Sequence, residues 1–583
     1  MLSDNNLLPP HSLQPLYTQQ TMKTYLLKVF ITTFTICWQP ILAEESTNHG
    51  EPPVKAPFTK GEDSLCVNDW WNRPVPKNKK DIICDLRVPR DQAVAFGLYA
   101  THGKVLKLTA QLYPLYPKET REVRLEIEQN GTWKEIAKQN VQDIGWSTTF
   151  RVENWDDTQD TKYRILHGDK ASFEGLIRKD PKDKKQIVMA ALSCNSNRDR
   201  GLRKEYTRNI NIQNPDLIFF AGDQSYDHKE HTAAWLKFGL AFKELFRNRP
   251  CISIPDDHDI GQPNLWGENG KPAKKSKGDG GGYFYHPEYV RMVERQQTGN
   301  LPDAYDPTPI EQGIGVYYTN LILGGVDFAI IEDRKFKTGP RDRHPMKGPR
   351  PDHILDPKYD SKVIDVPGLK LLGERQLKFL ESWADDAEGV SMKAVLSQTA
   401  FYGGAHLHGS PKNRLHADMD SNGWPQTGRN KALKLIKKAN AVHIAGDQHL
   451  ATVAQHGIDN YRDGPWSFVV PAIVNSVYGR WWSPEGELAG GNPPEENPLP
   501  WVGDYKDGFD NKVTMHAYAN PTHRGRLRAG IKDKNSMADG WGVIIFHKES
   551  KEVTFECWPR FSDLSKPDAK QFKGWPITIK LDQ

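Results

Sequence analysis

Residues 217–227 read LIFFAGDQSYD, and residues 251–259 read CISIPDDHD. In each, a short apolar run gives way at once to a cluster of acids with a His or Tyr. Near-continuous apolarity marks a strand buried on both faces, as in parallel sheets. The same grammar recurs along the chain. Ile187 to Leu192 precedes Ser193-Cys194-Asn195, Ala394 to Leu396 precedes Ser397-Gln398, and Ala441 to Ile444 precedes Gly446-Asp447-Gln448-His449. A further apolar run covers Phe328 to Ile331. Helical patterning between these runs predicts helices over 202–212, 233–246, 374–387 and 431–439. Strands alternating with helices predict an α/β layered domain with a largely parallel core.

Working outward, two stretches interrupt the alternation. Residues 267–315 are rich in Gly, Lys and Tyr, and 337–366 in Pro, Lys, Arg and Asp. Stretches this long read as inserts, either functional loops or disordered segments. The Pro- and Gly-rich region after 480 reads as an irregular cover, with Trp481-Trp482 either walling a cleft or packing. Segments 542–546 and 553–558 read as a closing strand pair. Residues 184–583 are thus expected to form the main domain. Upstream, 85–183 holds short alternating segments at 105–112, 122–128, 148–152 and 163–166, separated by turns such as Asn130-Gly131. That pattern predicts a small antiparallel β-sandwich of the Ig/fibronectin-like kind. It carries no clustered chemistry and reads as a packing domain.

Residues 44–84 read as a linker or irregular arm. Residues 1–43 read as an N-terminal extension and signal peptide, with Met22 as the true start. Met22-Lys23 leads into an apolar run from Tyr25 to Trp38, and Ile41-Leu42-Ala43 offers a cleavage site. The run is too short to span a membrane comfortably, so the expectation is export to the periplasm or outside the cell, with no membrane span in the mature chain. Of the six cysteines, Cys37 would leave with the signal, and Cys66 and Cys84 form a candidate disulfide pair. A net charge of +4 over 583 residues argues against a bulk polyanion binder, and no nucleic-acid motif implies a stable nucleic-acid partner.

In open α/β sheets the carboxyl ends of the strands form the ligand crevice. Several acids and an imidazole converging there repel one another unless cations intervene. Carboxylate plus imidazole ligation suits Fe, Ca, Mn or Zn. No single motif is specific, since GD after a strand often caps a turn. The ordered set is far more so.

That set, SCN, GDQSYD, DDHD, SQ and GDQH, resembles the PhoD-like (alkaline phosphatase D) branch of the calcineurin-like metallophosphoesterases, whose motifs read SC, GDxxY, DDHE, Q and GDxH. Asn422-Gly423-Trp424-Pro425 with Arg429 is similar to the family's DGYP segment and trailing Arg, and Asp333-Arg334 to its internal D-x-R. The resemblance covers roughly 85 to 560. It implies a metallophosphoesterase-type layered α/β-sandwich holding two or more metal ions. Asp223 takes the bridging aspartate's place, with Asp257, Asp447, His449 and Gln398 as further ligands. Asn195, a further candidate ligand, stands where many relatives have Gln. Cys194 is either an iron ligand or an ordinary buried thiol, and Tyr226 either a ligand or a wall residue. His258 would face substrate. Arg429, His406 and His408 are candidate substrate contacts, the two His being alternatively loop residues near the site. Asp259 replaces the family's commoner Glu, and Pro255 its Trp.

The implied activity is hydrolysis of a phosphate mono- or diester, the substrate being a small-molecule or polymeric phosphoester. The alternative is a binding protein of the same fold that keeps metals without turnover. The sequence does not set the oligomeric state.

Overall fold

The computed structural model describes residues 55–67, 69–72, 85–276, 280–341, 352–410, 412–475, 479–485, 491, 497–523 and 533–582. The expected signal segment and Cys84 lie outside them.

The six apolar runs form strands, and their alternation explains the layers. In Gln186–Asn195, the side chains of Ile187, Met189 and Ala191 enter one core while Ala190 and Leu192 enter another. Leu217–Phe220 splits the same way, with Leu217 and Phe219 inward and Ile218 and Phe220 outward. Opposite them, Phe328, Ile330, Ala394, Leu396, Val442 and Ile444 face the shared inner core, and Ala329, Val395 and Ala441 face a third. Strands buried on both faces are therefore sandwiched between two sheets' common core and outer layers.

Each sheet is only partly parallel. Cys251–Ser253, Leu217–Phe220 and Gln186–Asn195 run parallel, but Gly540–His547 joins antiparallel to Gln186–Asn195 and leads to Glu552–Pro559 and Ile577–Lys580. In the second sheet Val326–Ile330, Met392–Thr399, Ala441–Gly446 and Trp466–Val469 are parallel, flanked by antiparallel strands on both sides. The expected closing pair thus extends a sheet. The third core holds helices Gly373–Asp385 and Gln426–Lys438.

Residues 94–177 build the two antiparallel sheets of a β-sandwich, of three and four strands. Leu106, Leu108, Val123, Leu125, Phe150 and Ile165 fill it, in one cluster with the helix His231–Phe246. The 267–315 stretch contains a helix, Pro287–Thr298, that composition hid. Pro287 starts it, the His286 ring caps it, and Tyr289, Val290, Met292 and Val293 are buried in the third core. The Trp481 and Trp482 side chains are both buried. No helix among the described residues is long and apolar enough to cross a membrane.

The described part of the arm is pinned to the body by a buried acid. Asp63 accepts hydrogen bonds from the Thr232 amide at 2.9 Å and hydroxyl at 2.7 Å. Burial nevertheless raises its carboxyl from an ordinary 3.8 to about 7, with the Thr232 bonds opposing. A carboxyl held up in the folded state is fully stabilising below pH 4, and that contribution is lost as pH rises toward 7. Asp63→Asn is expected to remove this slope and to stabilise the protein at pH 8 by up to roughly 4 kcal/mol, at 1.36 kcal/mol per pH unit. Urea melts of both proteins at pH 5 and pH 8 measure it. An unchanged pH slope would count against this reading of Asp63.

Candidate metal centre

The five polar strand ends meet on one side of the two sheets. The glycines of the two GD motifs explain the tightness. A Cβ on Gly222, which has φ +96°, would lie 2.5 Å from Cβ of Asp256, and one on Gly446 would lie 2.1 Å from Oγ of Ser193. With glycine at 446, the Ser193 Oγ accepts the Asp447 amide at 3.1 Å and ties the two sheets' strand ends together.

Four residues at the strand ends adopt left-handed backbone: Cys194 (φ 57°), Asp223 (59°), Asp447 (61°) and His449 (50°). Such conformations cost on the order of 1–3 kcal/mol each and gather where a fold aims side chains for function. The Asp259 carboxylate holds the turn. It accepts the amides of Asp223 at 2.8 Å, Gln224 at 3.3 Å, Ser225 at 3.1 Å and Asp256 at 3.0 Å.

Ligand atoms of Cys194, Asp223 and His449 lie within 4.8 Å of one another, as do those of Asp223, Asp256, Asp257 and Asp447. Asp223 belongs to both groups and, with Asp257 and His258, to a third. Its Oδ2 accepts the Tyr226 hydroxyl at 2.7 Å and lies 3.8 Å from Sγ of Cys194, and its Oδ1 accepts the His258 amide at 3.2 Å. Burial first, then Asp257, Asp256, Asp259 and Asp447, push its carboxyl well above the usual range. Burial and Asp223 likewise push the Cys194 thiol up. Arg334 is the cation set against these acids, with contacts to Asp256 at 2.7 Å, Asp420 at 2.5 Å and Asp447 at 3.2 Å.

His449 is prepared as a ligand. The Asn475 amide donates to the His449 carbonyl at 3.2 Å and the Met537 carbonyl at 2.9 Å, which turns its Oδ1 toward Nδ1 of His449, 3.1 Å away. Nδ1 therefore carries the proton and Nε2 presents a lone pair, the tautomer a metal ligand needs. Burial holds this imidazole neutral, near 3. Its Nε2 is 2.9 Å from the Tyr226 hydroxyl, whose single proton faces two acceptors, this nitrogen and Asp223 Oδ2. A cation among Cys194, Asp223, Tyr226 and His449 resolves that shortage. One among Asp223, Asp257 and Asp447 answers the surplus of buried carboxylates. The donor set fits two metal ions.

His258 packs tilted against Tyr226 at 4.1 Å, and its Nδ1 is 2.6 Å from Nε2 of His228, whose ring stacks on it at 4.9 Å. His258 is thus held through Nδ1, and Nε2 is the nitrogen through which it would act.

Other expected site residues are not in the cluster, and their bonding shows why. The Gln398 amide donates to the Pro255 carbonyl at 3.1 Å and Tyr317 hydroxyl at 2.8 Å, and its oxygen accepts the Asp333 amide at 3.2 Å. It braces the strand ends and presents no ligand atom. Asn195 bridges the Gln224 carbonyl and Arg203. Arg429 is buried, donating to the carbonyls of Phe401 at 2.7 Å and Gly457 at 3.1 Å, and so does not face a substrate. His406 packs tilted against Trp482 and accepts the Ser483 amide at 3.0 Å. His408 sits edge-on to His353. Asp259 stood out in the sequence only as a variant of the commoner Glu, and Asp256 inside the same DDHD motif, His228, and Asn475, for which no local signal exists, were not singled out.

Two sheets with acid- and His-bearing strand ends, preceded by a β-sandwich, make a layered α/β fold shared with two solved structures. A solved structure described as that of PhoD superposes with a TM-score of 0.56 at 13% identity, over 84% of this chain and 91% of that one. The purple acid phosphatase PPD1 from yellow lupin (Lupinus luteus) seeds gives 0.50 at 11%, over 84% and 74%. No protein-family model and no curated protein matches the chain.

Proposed function

We propose that this protein is an exported, metal-dependent phosphoester hydrolase acting on phosphate mono- or diesters. The observation that carries the reading is Asp223, whose carboxylate belongs to several ligand groups at once. A carboxylate common to these groups would let Asp223 help hold two ions, as two-metal phosphoryl transfer needs. When bound, the ions supply Lewis acidity toward phosphoryl oxygens and a water of lowered pKa. Cys194, Tyr226 and His449 would hold one ion, Asp257 and Asp447 the other, with Asp223 between. Asp259 keeps the Asp223 turn in place. His258, held from behind by His228, donates a proton or hydrogen bond to the leaving oxygen through Nε2. Arg334 balances part of the acid charge so that the site accepts cations without collapsing.

The test is elemental analysis of the purified full chain beside hydrolysis of a panel of phosphate mono- and diesters, with and without chelator. Metal-dependent turnover that is lost in His258→Ala for substrates with poor leaving groups is expected. A metal-replete protein that hydrolyses no phosphoester on the panel overturns the proposal.

His228 makes a finer prediction. Truncating a partner that orients a site residue typically loses about 10–100-fold. His228→Ala is expected to lose that much kcat/KM on an alkyl phosphate, whose leaving oxygen needs a proton. It should lose far less on 4-nitrophenyl phosphate, whose leaving group does not. Equal losses on both would show that His228 acts otherwise.

A further inference from the structure

A second group of ligating side chains lies where the 337–366 stretch re-enters the described chain. A short antiparallel ladder pairs His353 with Asp418 and Ile354 with Ala417. The register sets the His353 and Asp418 side chains beside each other, and Asp352 joins them. All three are nearly sealed from solvent, with side-chain exposures of 7% for Asp352, 2% for His353 and 2% for Asp418. None belongs to the strand-end groups.

The spacing decides what such a triad is for. Nε2 of His353 lies 3.5 Å from Oδ2 of Asp352 and 3.9 Å from Oδ2 of Asp418, and the three atoms are mutually within 4.8 Å. Both separations exceed the roughly 2.7–3.2 Å of a hydrogen bond. They are close to the edge of a tetrahedron around an ion, about 3.4 Å for bonds of about 2.1 Å. A second observation is independent of the spacing. Oδ2 of Asp418 is buried and accepts no hydrogen bond, while Oδ1 accepts the Asp420 amide at 3.1 Å. A carboxylate oxygen withdrawn from water without a donor is unfavourable by several kcal/mol unless a cation meets it. Arg480 and Lys337 also act on Asp418 through space, without donating to its Oδ2.

We propose that Asp352, His353 and Asp418 hold a further metal ion, a divalent transition ion such as Zn²⁺ or Mn²⁺, separate from the strand-end pair. Two carboxylates and one imidazole are a complete protein ligand set for such an ion, with one position left for water. The site is also braced from outside. The Asn264 amide donates to Oδ2 of Asp352 at 2.6 Å, and the Asn264 backbone N–H donates to Oδ2 of Asp257. The His408 ring stands edge-on to His353 at 4.9 Å. An ion here fastens residues 352–353, within the 337–366 stretch, to residues 417–418. Its binding free energy goes into holding that segment in place.

The experiment is an anomalous-scattering map from crystals of the full chain, soaked in millimolar Zn²⁺ or Mn²⁺, beside elemental analysis of wild type and Asp418→Asn. The expected result is a peak between Asp352, His353 and Asp418. Metal content should fall by about one equivalent per chain in Asp418→Asn while the strand-end peaks persist. An empty triad overturns the inference, whether or not the strand-end groups are filled. So does equal metal content in the two proteins, which would leave His353 as an imidazolium between two carboxylates. If Asp418→Asn does not fold, the wild-type map alone decides. A filled triad beside empty strand-end groups upholds this site and removes the proposed phosphoesterase instead.

Discussion

Asp223→Asn is expected to lose at least about a thousandfold in kcat/KM on any phosphoester the parent hydrolyses, roughly 4 kcal/mol at 1.36 kcal/mol per tenfold. The same protein should bind fewer metal ions than the parent. Both losses follow from one fact: the Asp223 carboxylate belongs to several ligand groups, so no other single residue touches as much of the site. The stability effect should have the opposite sign. In chelator-treated protein, Asp223 is a buried acid crowded by Asp257, Asp256, Asp259 and Asp447, and its carboxyl is pushed well up. Folding is then weakened progressively as pH rises through the carboxylate range and beyond. An amide at 223 ends that repulsion. Its NH₂ donates to the Tyr226 oxygen, whose proton is then released to Nε2 of His449, 2.9 Å away. Metal-free Asp223→Asn should therefore melt higher than metal-free parent at pH 8. Calorimetry with chelator and elemental analysis without it measure the two halves. A variant that keeps parental turnover and metal content would refute the role given to Asp223.

That opposition between stability and function explains what was legible in the sequence. Strands buried on both faces write continuous apolar runs, and runs such as LIFF ending in GD mark where parallel strands stop. The layered fold was therefore readable from 217–227 and 251–259 outward. The antiparallel flanks were not, because Gly540–His547 looks the same whether it closes a domain or extends a sheet beside Gln186–Asn195. The helix Pro287–Thr298 was hidden because the composition around it is that of a loop, and only its cap and its buried Tyr289 and Val290 distinguish it.

The site was readable as motifs and less so as directions. Motif position brought Asp223, Asp257, Asp447, His449, Cys194 and Tyr226 to one place. The same reasoning placed Gln398 and Arg429 there too, although Gln398 is saturated by Pro255, Tyr317 and Asp333, and Arg429 by backbone carbonyls. A spacing pattern reports which turn a residue occupies. It does not report which neighbours have already taken its hydrogen-bonding atoms. Asp259 illustrates the converse, since in the sequence it is a variant of a commoner Glu and in the fold it gathers four amides.

Arg334→Met is expected to destabilise the protein by about 3–5 kcal/mol, the range for breaking a buried ion cluster by removing one partner. Burial alone disfavours the charge on Arg334, but Asp256, Asp420, Asp447 and Asp257 outweigh it and hold the guanidinium protonated. Nε meets Asp256, Nη1 meets Asp420 and Nη2 meets Asp447, so one planar group serves three carboxylates from three separate segments. Methionine fills much of the same volume, so the loss measures charge rather than a cavity. Arg334→Lys should recover only part of it, because an ammonium is a point charge without the fork that reaches all three. The defect should shrink when Mn²⁺ or Zn²⁺ is added. Asp256 and Asp447 also belong to a ligand group, and a bound ion takes over part of the neutralisation. Urea melts with chelator and with excess metal separate these contributions. A midpoint within about 1 kcal/mol of the parent's in chelator would mean that the three acids are protonated in the resting fold, and that Arg334 is not what keeps them together.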